Sequence, residues 1–493
     1  MIFQLKIKSQ KKISKFPNNS VNVLFCKSNT EFENILKQRK FQLSKTQKDN
    51  FKNDKNAEIK IWSSKVPDLT IIKKINNSKK LSSDYFRNYM AAVIQSLEKL
   101  NITNLIAELP NFDKYKIELD DETYFYQTFV EGIYLGNYNF NKFKSDKKKP
   151  KVLNINLISE NTGKLNKAIK TGIKLLGSVY FSRDLVNEPA NVLTPQELAN
   201  RVKKTFRNTK VKVKVFDEKE LAKRKMNAIL NVGKGSVNKP RLIIAHYKPD
   251  EKVKKKIALV GKGLTYDTGG LSLKPTENML EMKADMAGSA TVFGVIKAAE
   301  ELKLPVEIFA IVPAVENAIS GNSYRPGDII STASGKTIEV KNTDAEGRIV
   351  LADALEYASK QKPNEIIDFA TLTGAAVVAL GEFTAAVFSK NDKMANRLYQ
   401  AGQKTFERVW RMPFWDEYNK LLDSKIADVS NLGPRWGGAI TAGKFLEHFV
   451  DEKIPWTHVD LAGPAMKNDL TNYTKNYCTG FGVRLIIDYL EKQ

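Results

Sequence analysis

Between Gly261 and Arg348 the chain gathers four acids, Asp267, Asp285, Asp344 and Glu346, with three bases, Lys262, Lys274 and Arg348. The stretch opens Gly261-Lys-Gly-Leu-Thr-Tyr-Asp267-Thr-Gly-Gly270 and closes Asn342-Thr-Asp344-Ala-Glu346-Gly-Arg348. Carboxylates in short glycine-bounded segments can converge on divalent cations. A water shared by two such cations ionises near neutral pH and can hydrolyse a bond. The three histidines (His246, His448, His458) and two cysteines (Cys26, Cys478) are scattered. That excludes zinc fingers, HExxH proteases and a disulfide framework. Any metal must be held through oxygen, with or without a lysine amine.

Each residue also has a plainer reading. Asp267 follows an apolar run and precedes Thr268-Gly269-Gly270, so it is either an ordinary turn residue or a carboxylate at a sheet's carboxyl edge, where α/β enzymes bind ligands. Its Asp-Thr-Gly also matches aspartic proteases, but those need two such aspartates sharing a proton, and this chain has one. Thr343-Asp-Ala-Glu346 fits a helix capping box as well as a metal turn. Asp285 stands where an N-cap would, and Lys262 and Lys274 alone would be surface lysines.

The elements that must carry these residues follow from periodicity. Leu242–His246, Ile257–Val260, Val306–Val312 and Ile366–Ala370 are short apolar runs suited to buried strands, and 290–302 and 349–359 have helical period. Their alternation predicts an α/β sheet covered by helices on both faces. Upstream, Val21–Phe25, Ile59–Trp62 and the alternating Met1–Lys8 read as strands, and 85–100 and 124–135 as helices. The Lys-rich stretch 142–151 reads as an exposed loop and a candidate boundary region. A long helical pattern over 164–186, broken by Pro189 and Pro195, is expected to connect two domains.

Length and composition set the frame. The 493 residues suffice for two or three domains, and 42% hydrophobic content is globular. The longest apolar run, roughly Ala370–Leu380, is too short for a bilayer, so no membrane partner is expected. No secretory signal is visible, and the two cysteines suit a reducing compartment. The absence of acids before Glu31 leaves organellar targeting open beside a cytoplasmic location. Residues 1–160 carry 29 Lys and Arg against 17 Asp and Glu, half of the net charge of +24 in a third of the chain. Such a field can attract DNA. The bland alternative is a set of solvated lysine faces.

Taken together, the Gly261–Gly270 segment, Lys274-Pro275, Ala284-Asp285-Met286 and Asn342–Arg348 resemble the leucyl aminopeptidases of the cytosol aminopeptidase family. So do Thr371–Ala375, Trp410-x-Met412-Pro413, Gly438–Ala442 and Thr479–Arg484. The likeness covers roughly residues 175–490. It implies an α/β protein of two domains, a smaller N-terminal one and a larger catalytic one with a central mixed sheet flanked by helices. The expected boundaries are 1–160, a connecting helix at 161–193, and 194–493. It implies two divalent ions per subunit (Zn²⁺, with Mn²⁺ or Mg²⁺ possible). Asp267 and Glu346 would bridge both ions, Asp344 would bind one, partly through its carbonyl, and Lys262 and Asp285 would complete the other. Lys262 could do so only when neutral, which requires a strongly depressed pKa. Lys274 would stabilise an oxyanion and Arg348 would hold a bicarbonate acting as general base. Met282, Thr371 and Gly374 would line the first side-chain pocket, suited to Leu-like or Met-like residues, with ordinary core packing as the alternative; for Met466 the two readings weigh equally.

The activity implied is release of N-terminal amino acids from short peptides with a free N-terminus, by a homohexamer. Some members of that family also bind DNA, which makes an architectural or regulatory role a second reading; a dipeptidase acting on Cys-Gly is a third. Three positions depart from the resemblance: Ile349 where Leu is commoner, and Pro434 and Trp436 in a loop expected to be Gly-rich. The latter bears on loop shape and specificity.

Overall fold

The computed structural model describes residues 1–75, 79–147 and 149–492. Its contacts divide the chain into two units, 1–176 with 471–473, and 177–470 with 474–493. The division falls inside a single helix, Thr162–Asn187, the long helical pattern of the sequence.

The first unit is built on six strands: β1 Phe3–Gln10, β2 Ser20–Cys26, β3 Glu58–Trp62, β4 Leu69–Lys74, β5 Asn104–Glu108 and β6 Lys151–Ile158. They lie in the order β1-β6-β5-β2-β4-β3, all parallel except the antiparallel edge pair β3–β4. Helices Tyr85–Leu97 and Glu122–Asn137 bring Phe86, Phe125 and Phe129 into one aromatic cluster, with edge and stacked contacts at 4.7–5.3 Å. Inside it Arg87 is fully buried between Asp84 (2.6 Å) and Glu131 (2.7 Å). The lysine-rich loop is exposed at 142–147 and at 149–150, and Lys148 lies outside the described residues. The loop lies within this unit and leads into β6, which pairs with both β1 and β5.

The second unit holds β7 Val211–Phe216, β8 Arg241–Tyr247, β9 Lys255–Gly261, β10 Gly263–Asp267, β11 Val306–Asn317, β12 Ile329–Ser331, β13 Thr337–Glu339, β14 Glu365–Ala370, β15 Ala385–Phe388, β16 Val409–Arg411, β17 Val429–Ser430 and β18 Trp456–Asp460. Nine of them form a mixed sheet in the order β16-β15-β18-β14-β9-β11-β8-β7, with β10 also on β11. β12, β13 and β17 make a small separate sheet. Ile257, Ala258, Leu259 and Val260 of β9 are all fully buried, so both faces of the sheet are covered there. The helices Ala287–Leu302 and Glu346–Lys360 both pack on β9 and β11. Among the described residues no helix is long and apolar enough to cross a membrane.

The feature that positions the site is strand direction. β10, β9, β14 and β18 run parallel to one another through their pairings with β11 and β9. Their carboxyl ends therefore lie along one edge of the sheet, as the Asp267 turn requires.

Candidate metal centre

That edge presents Lys262 directly after β9, Asp267 at the end of β10, Asn317 at the end of β11, Thr371 directly after β14 and Asp460 at the end of β18. β9 pairs with residues 306–311 of β11, and β10 pairs in the same direction with 314–317. Lys262 is thus the break in what is otherwise one strand. Its backbone N–H donates to Phe369 O at 2.9 Å and its carbonyl accepts from Ser289 N at 2.8 Å, so the break is held on both sides.

Asp267 is fixed by its own turn. Its Oδ1 accepts from Gly269 N and from Asn317 Nδ2, both at 2.8 Å. Gly269 has φ +84°, and a Cβ there would meet Ser272 O at 2.5 Å and Asp344 Oδ1 at 3.0 Å. Only glycine lets the turn close against the second acidic segment. Thr343 stitches the two segments together: its hydroxyl donates to Gly269 O (2.7 Å) and accepts from Ser272 N (2.8 Å), while its N–H donates to Ser272 Oγ (3.2 Å). The plainer capping-box reading of 343–346 therefore does not hold. The helix begins at Glu346, Ala345 occupies the cap position without a side-chain bond, and Thr343 is already committed elsewhere. Asp285 is likewise no N-cap. The helix after it starts at Ala287, and Asp285 instead accepts from Lys262 Nζ (2.7 Å) and Thr371 Oγ1 (2.8 Å).

The result is one cluster. Lys262 Nζ lies 2.7 Å from Asp285 Oδ1, 3.0 Å from Glu346 Oε1 and 3.0 Å from Thr371 O. Lys274 Nζ lies 2.9 Å from Asp267 Oδ2 and also contacts Asp344 Oδ1. Neither lysine is on the open surface, the side chains being 4% and 15% exposed. Carboxylate oxygens of Asp267, Asp344 and Glu346 lie within 4.8 Å of one another. Arg348 is buried, with Nη1 donating to Asn431 O at 2.9 Å and Nε without a protein partner. Met282 and Thr371 flank Asp285 and Lys262 in sequence or contact, and both are half-buried. Gly374 opens the helix Gly374–Leu380 and is exposed, with nothing within 4 Å of where a Cβ would stand. Met466 is half-buried in the loop after β18. Among the described residues, Arg348, Met282, Gly374 and Met466 make no side-chain polar contact with the cluster.

Crowding of like charges sets the protonation. Burial raises Glu346 to about 8, reinforced by Asp267 and offset by Lys262. Burial raises Asp285 to about 6 against the pull of Lys262. Asp344 is raised by burial and by Asp267, with Lys274 opposing. For both lysines burial favours the neutral form, but the neighbouring carboxylates outweigh it and hold them above their usual range. The sequence expectation for Lys262 concerned the metal-bound site, where two cations and burial together would lower it. Burial does not depress it while Asp285 and Glu346 are its partners; only cations that take over those carboxylates can supply the lowering. Burial lowers Arg348 to about 10, with Glu346 and Asp460 opposing.

The residues fit divalent ions. Glu346 Oε2 and Asp285 Oδ2 are buried acceptors without a hydrogen-bond partner, an expensive condition unless something cationic meets them. Four carboxylates face two ammonium groups. The donors are oxygens and amines without thiolate or imidazole, which suits Mg²⁺, Mn²⁺ or Zn²⁺ more than a soft ion. Sequence reasoning missed Asn317, Thr343, Asn431 and Asp460. Asn317 and Asp460 had one available signal, a polar residue closing an apolar strand.

Comparison with known proteins agrees with this site. The chain belongs to the cytosol aminopeptidase family: the family's catalytic domain matches residues 180–487 and its N-terminal domain 76–147. It is 42% identical to a probable cytosol aminopeptidase of Chloroherpeton thalassium, over 91% of this chain and 96% of that one. It is 43% identical to one of Persephonella marina, over 94% and 93%. A probable cytosol aminopeptidase of Clostridium perfringens is 47% identical over 74% of this chain and 75% of its own. Among solved structures, the bottromycin maturation enzyme BotP in complex with Mn superposes with a TM-score of 0.85 at 29% identity, covering 96% of this chain and 99% of that one. The protein is accordingly a metal-dependent aminopeptidase, and its acidic cluster is the place where a divalent metal fits.

Proposed function

We propose that this chain removes N-terminal amino acids, Leu-like ones preferred, from short peptides by means of two divalent ions held at the sheet edge. The observation that carries the reading is the convergence of Asp267, Asp344 and Glu346 within 4.8 Å, beside buried unpartnered oxygens on Glu346 and Asp285. Asp267 and Glu346 would hold both ions, Asp344 one of them, and Lys262 with Asp285 the other. Zn²⁺ is the ion proposed, with Mn²⁺ or Mg²⁺ able to replace it. Bound there, the ions would supply Lewis acidity and a water ionised near neutral pH.

The chain's own groups do the rest. Lys274, on a loop and 15% exposed, would swing aside from the ions with its proton kept and offer a cation where an oxyanion would develop. Arg348 Nε is a buried donor with no protein partner, which suits a small planar anion such as bicarbonate, the general base of this reading. Met282, Thr371, Gly374 and Met466 would line the pocket for the first side chain, the methionines giving it a soft wall. The exposure of Gly374 and the open space beside it leave room for a side chain to enter. We further propose a homohexamer working in the cytoplasm, which would restrict access to short peptides.

The test is hydrolysis of a leucyl chromogenic amide after chelation, then with Mn²⁺ or Zn²⁺ restored, beside Asp344→Ala. Turnover that depends on metal and vanishes in the variant supports the reading. A metal-loaded wild type with no turnover on any short peptide defeats it.

A further inference from the structure

One buried carboxylate at the sheet edge has no part in that reading. Asp460, the last residue of β18, is 1% exposed. Its Oδ1 accepts from Leu372 N at 3.1 Å and from Ala462 N at 3.2 Å, and its Oδ2 accepts from Thr373 Oγ1 at 2.7 Å. Leu372 and Thr373 are the middle and last residues of the turn between β14 and the helix Gly374–Leu380. The first residue of that turn, Thr371, spends both its polar atoms on the metal cluster. Its carbonyl accepts from Lys262 Nζ at 3.0 Å and its hydroxyl donates to Asp285 Oδ1 at 2.8 Å. Thr373 Oγ1 also accepts from Ala376 N at 3.0 Å, starting the helix at Gly374. At its upstream end the turn is tied by Leu461 N donating to Ala370 O at 2.9 Å.

We propose that Asp460 is a positioning residue for metal binding: by pinning Leu372 and Thr373 it fixes Thr371, and through Thr371 it sets Lys262 and Asp285 for the ion they would share. The inference rests on the assignment of Lys262 and Asp285 as ligands. Asp460 itself touches neither substrate nor ion. Groups that orient metal ligands through hydrogen bonds commonly govern affinity about 10–100-fold. A purely structural Asp460 would instead lower stability and leave metal affinity alone.

The experiment measures ion stoichiometry and stepwise affinity for Mn²⁺ and Zn²⁺ by competition with a chromogenic chelator, with melting of the metal-free chain alongside. Asp460→Asn keeps the volume but turns an amide donor toward the Thr373 hydroxyl. Thr373→Val removes the same bond from the other side and keeps Asp460, so it tests the path should the first variant fold poorly. Each is expected to weaken one of the two ions about tenfold and leave the other unchanged. Thr371→Val should weaken the same ion, and combining it with Asp460→Asn should add little, because both changes act through one turn. Unchanged affinities in Asp460→Asn and Thr373→Val, with two ions in the wild type, overturn the inference alone. So do fully additive losses in the double variant. A wild-type chain that holds a single ion per subunit overturns the two-ion reading, and the inference with it.

Discussion

Gly347→Ala separates the chemistry of the site from the stability of the fold. Gly347 is the second residue of the helix Glu346–Lys360, and its φ is not positive, so alanine is locally acceptable there. In a helix interior the change favours folding by up to about 1 kcal/mol. The obstacle is Lys262. A Cβ on residue 347 would lie 2.4 Å from Lys262 Cε and 2.6 Å from Nζ. Carbon atoms in contact sit about 3.5–4.0 Å apart, so the end of Lys262 must retreat by about 1 Å. Its bonds to Asp285 (2.7 Å), Glu346 (3.0 Å) and Thr371 (3.0 Å) have no slack for that.

A displacement of this size at a reacting centre costs about 100-fold in rate. The expected outcome is a kcat on the leucyl amide down about 100-fold, with one of two ions lost at limiting metal. The melting temperature should stay within a few degrees of wild type, because helix propensity and the lost lysine contacts oppose each other at about 1–3 kcal/mol each. Full metal content and wild-type kcat in Gly347→Ala would refute the argument, since Lys262 would then have room that the structure denies it.

Other perturbations follow from the same geometry. Lys274→Met should lower kcat by about 100- to 1,000-fold and move KM little, measured in steady state, because its charge is needed where an oxyanion develops. Burial raises Asp285 to about 6 and Glu346 to about 8, and an ion must displace any proton held there. Metal affinity, read by chelator competition, should therefore rise most steeply with pH across 6–8 and keep rising more gently above, because Lys262 must also lose a proton to bind an ion. Asp353 is a fully buried acid raised by burial to about 7 despite backbone bonds from Ile229 N and Ala333 N. Its folded value exceeds its unfolded one near 3.8, so the stability it contributes is complete below about 4 and lost as pH rises to about 7. The difference in urea unfolding free energy between wild type and Asp353→Asn should shift toward the variant over that window and stay flat above it.

Much of the site was legible because its residues sit in segments whose local rules are strict. Asp267 needed a strand end and a glycine turn, and the apolar run at 257–260 followed by Gly269-Gly270 supplied both signals. The strands at 21–25, 59–62, 242–246, 257–260 and 366–370 appear where alternating or continuous apolar runs placed them, because burial on one or both faces dictates those patterns. Short polar turns were the ambiguous part. Thr343 and Asp285 each sat in a sequence that satisfies a capping rule, yet each bonds across the fold to residues far along the chain. A capping pattern costs nothing to write by chance, and tertiary partners decide whether it is used. Asp460 was illegible for the same reason, since its two partners on the Thr371–Thr373 turn lie 87 and 88 positions away and only the β14–β18 pairing brings them beside it.

The two lysines show why a metal site of this kind needs a rigid frame. Four carboxylates brought this close repel one another, as the raised values at Glu346, Asp285 and Asp344 register. Lys262 and Lys274 hold the set together by each spanning two acids, Asp285 with Glu346 and Asp267 with Asp344. Ions binding here must compete with both bridges. Lys274 has an outlet, being 15% exposed on a loop, and can swing aside with its charge intact. Lys262 has none. It is held at its backbone by Phe369 and Ser289 and walled by Gly347, so it can stay in place only by giving up a proton. On the proposed reading, the frame that keeps Lys262 protonated beside bare carboxylates would make it an amine ligand once cations take those carboxylates, whereas Lys274 would remain a cation. Exchanging Lys274 for arginine should therefore retain much of the metal affinity. Exchanging Lys262 for arginine, which cannot deprotonate, should abolish binding of one ion.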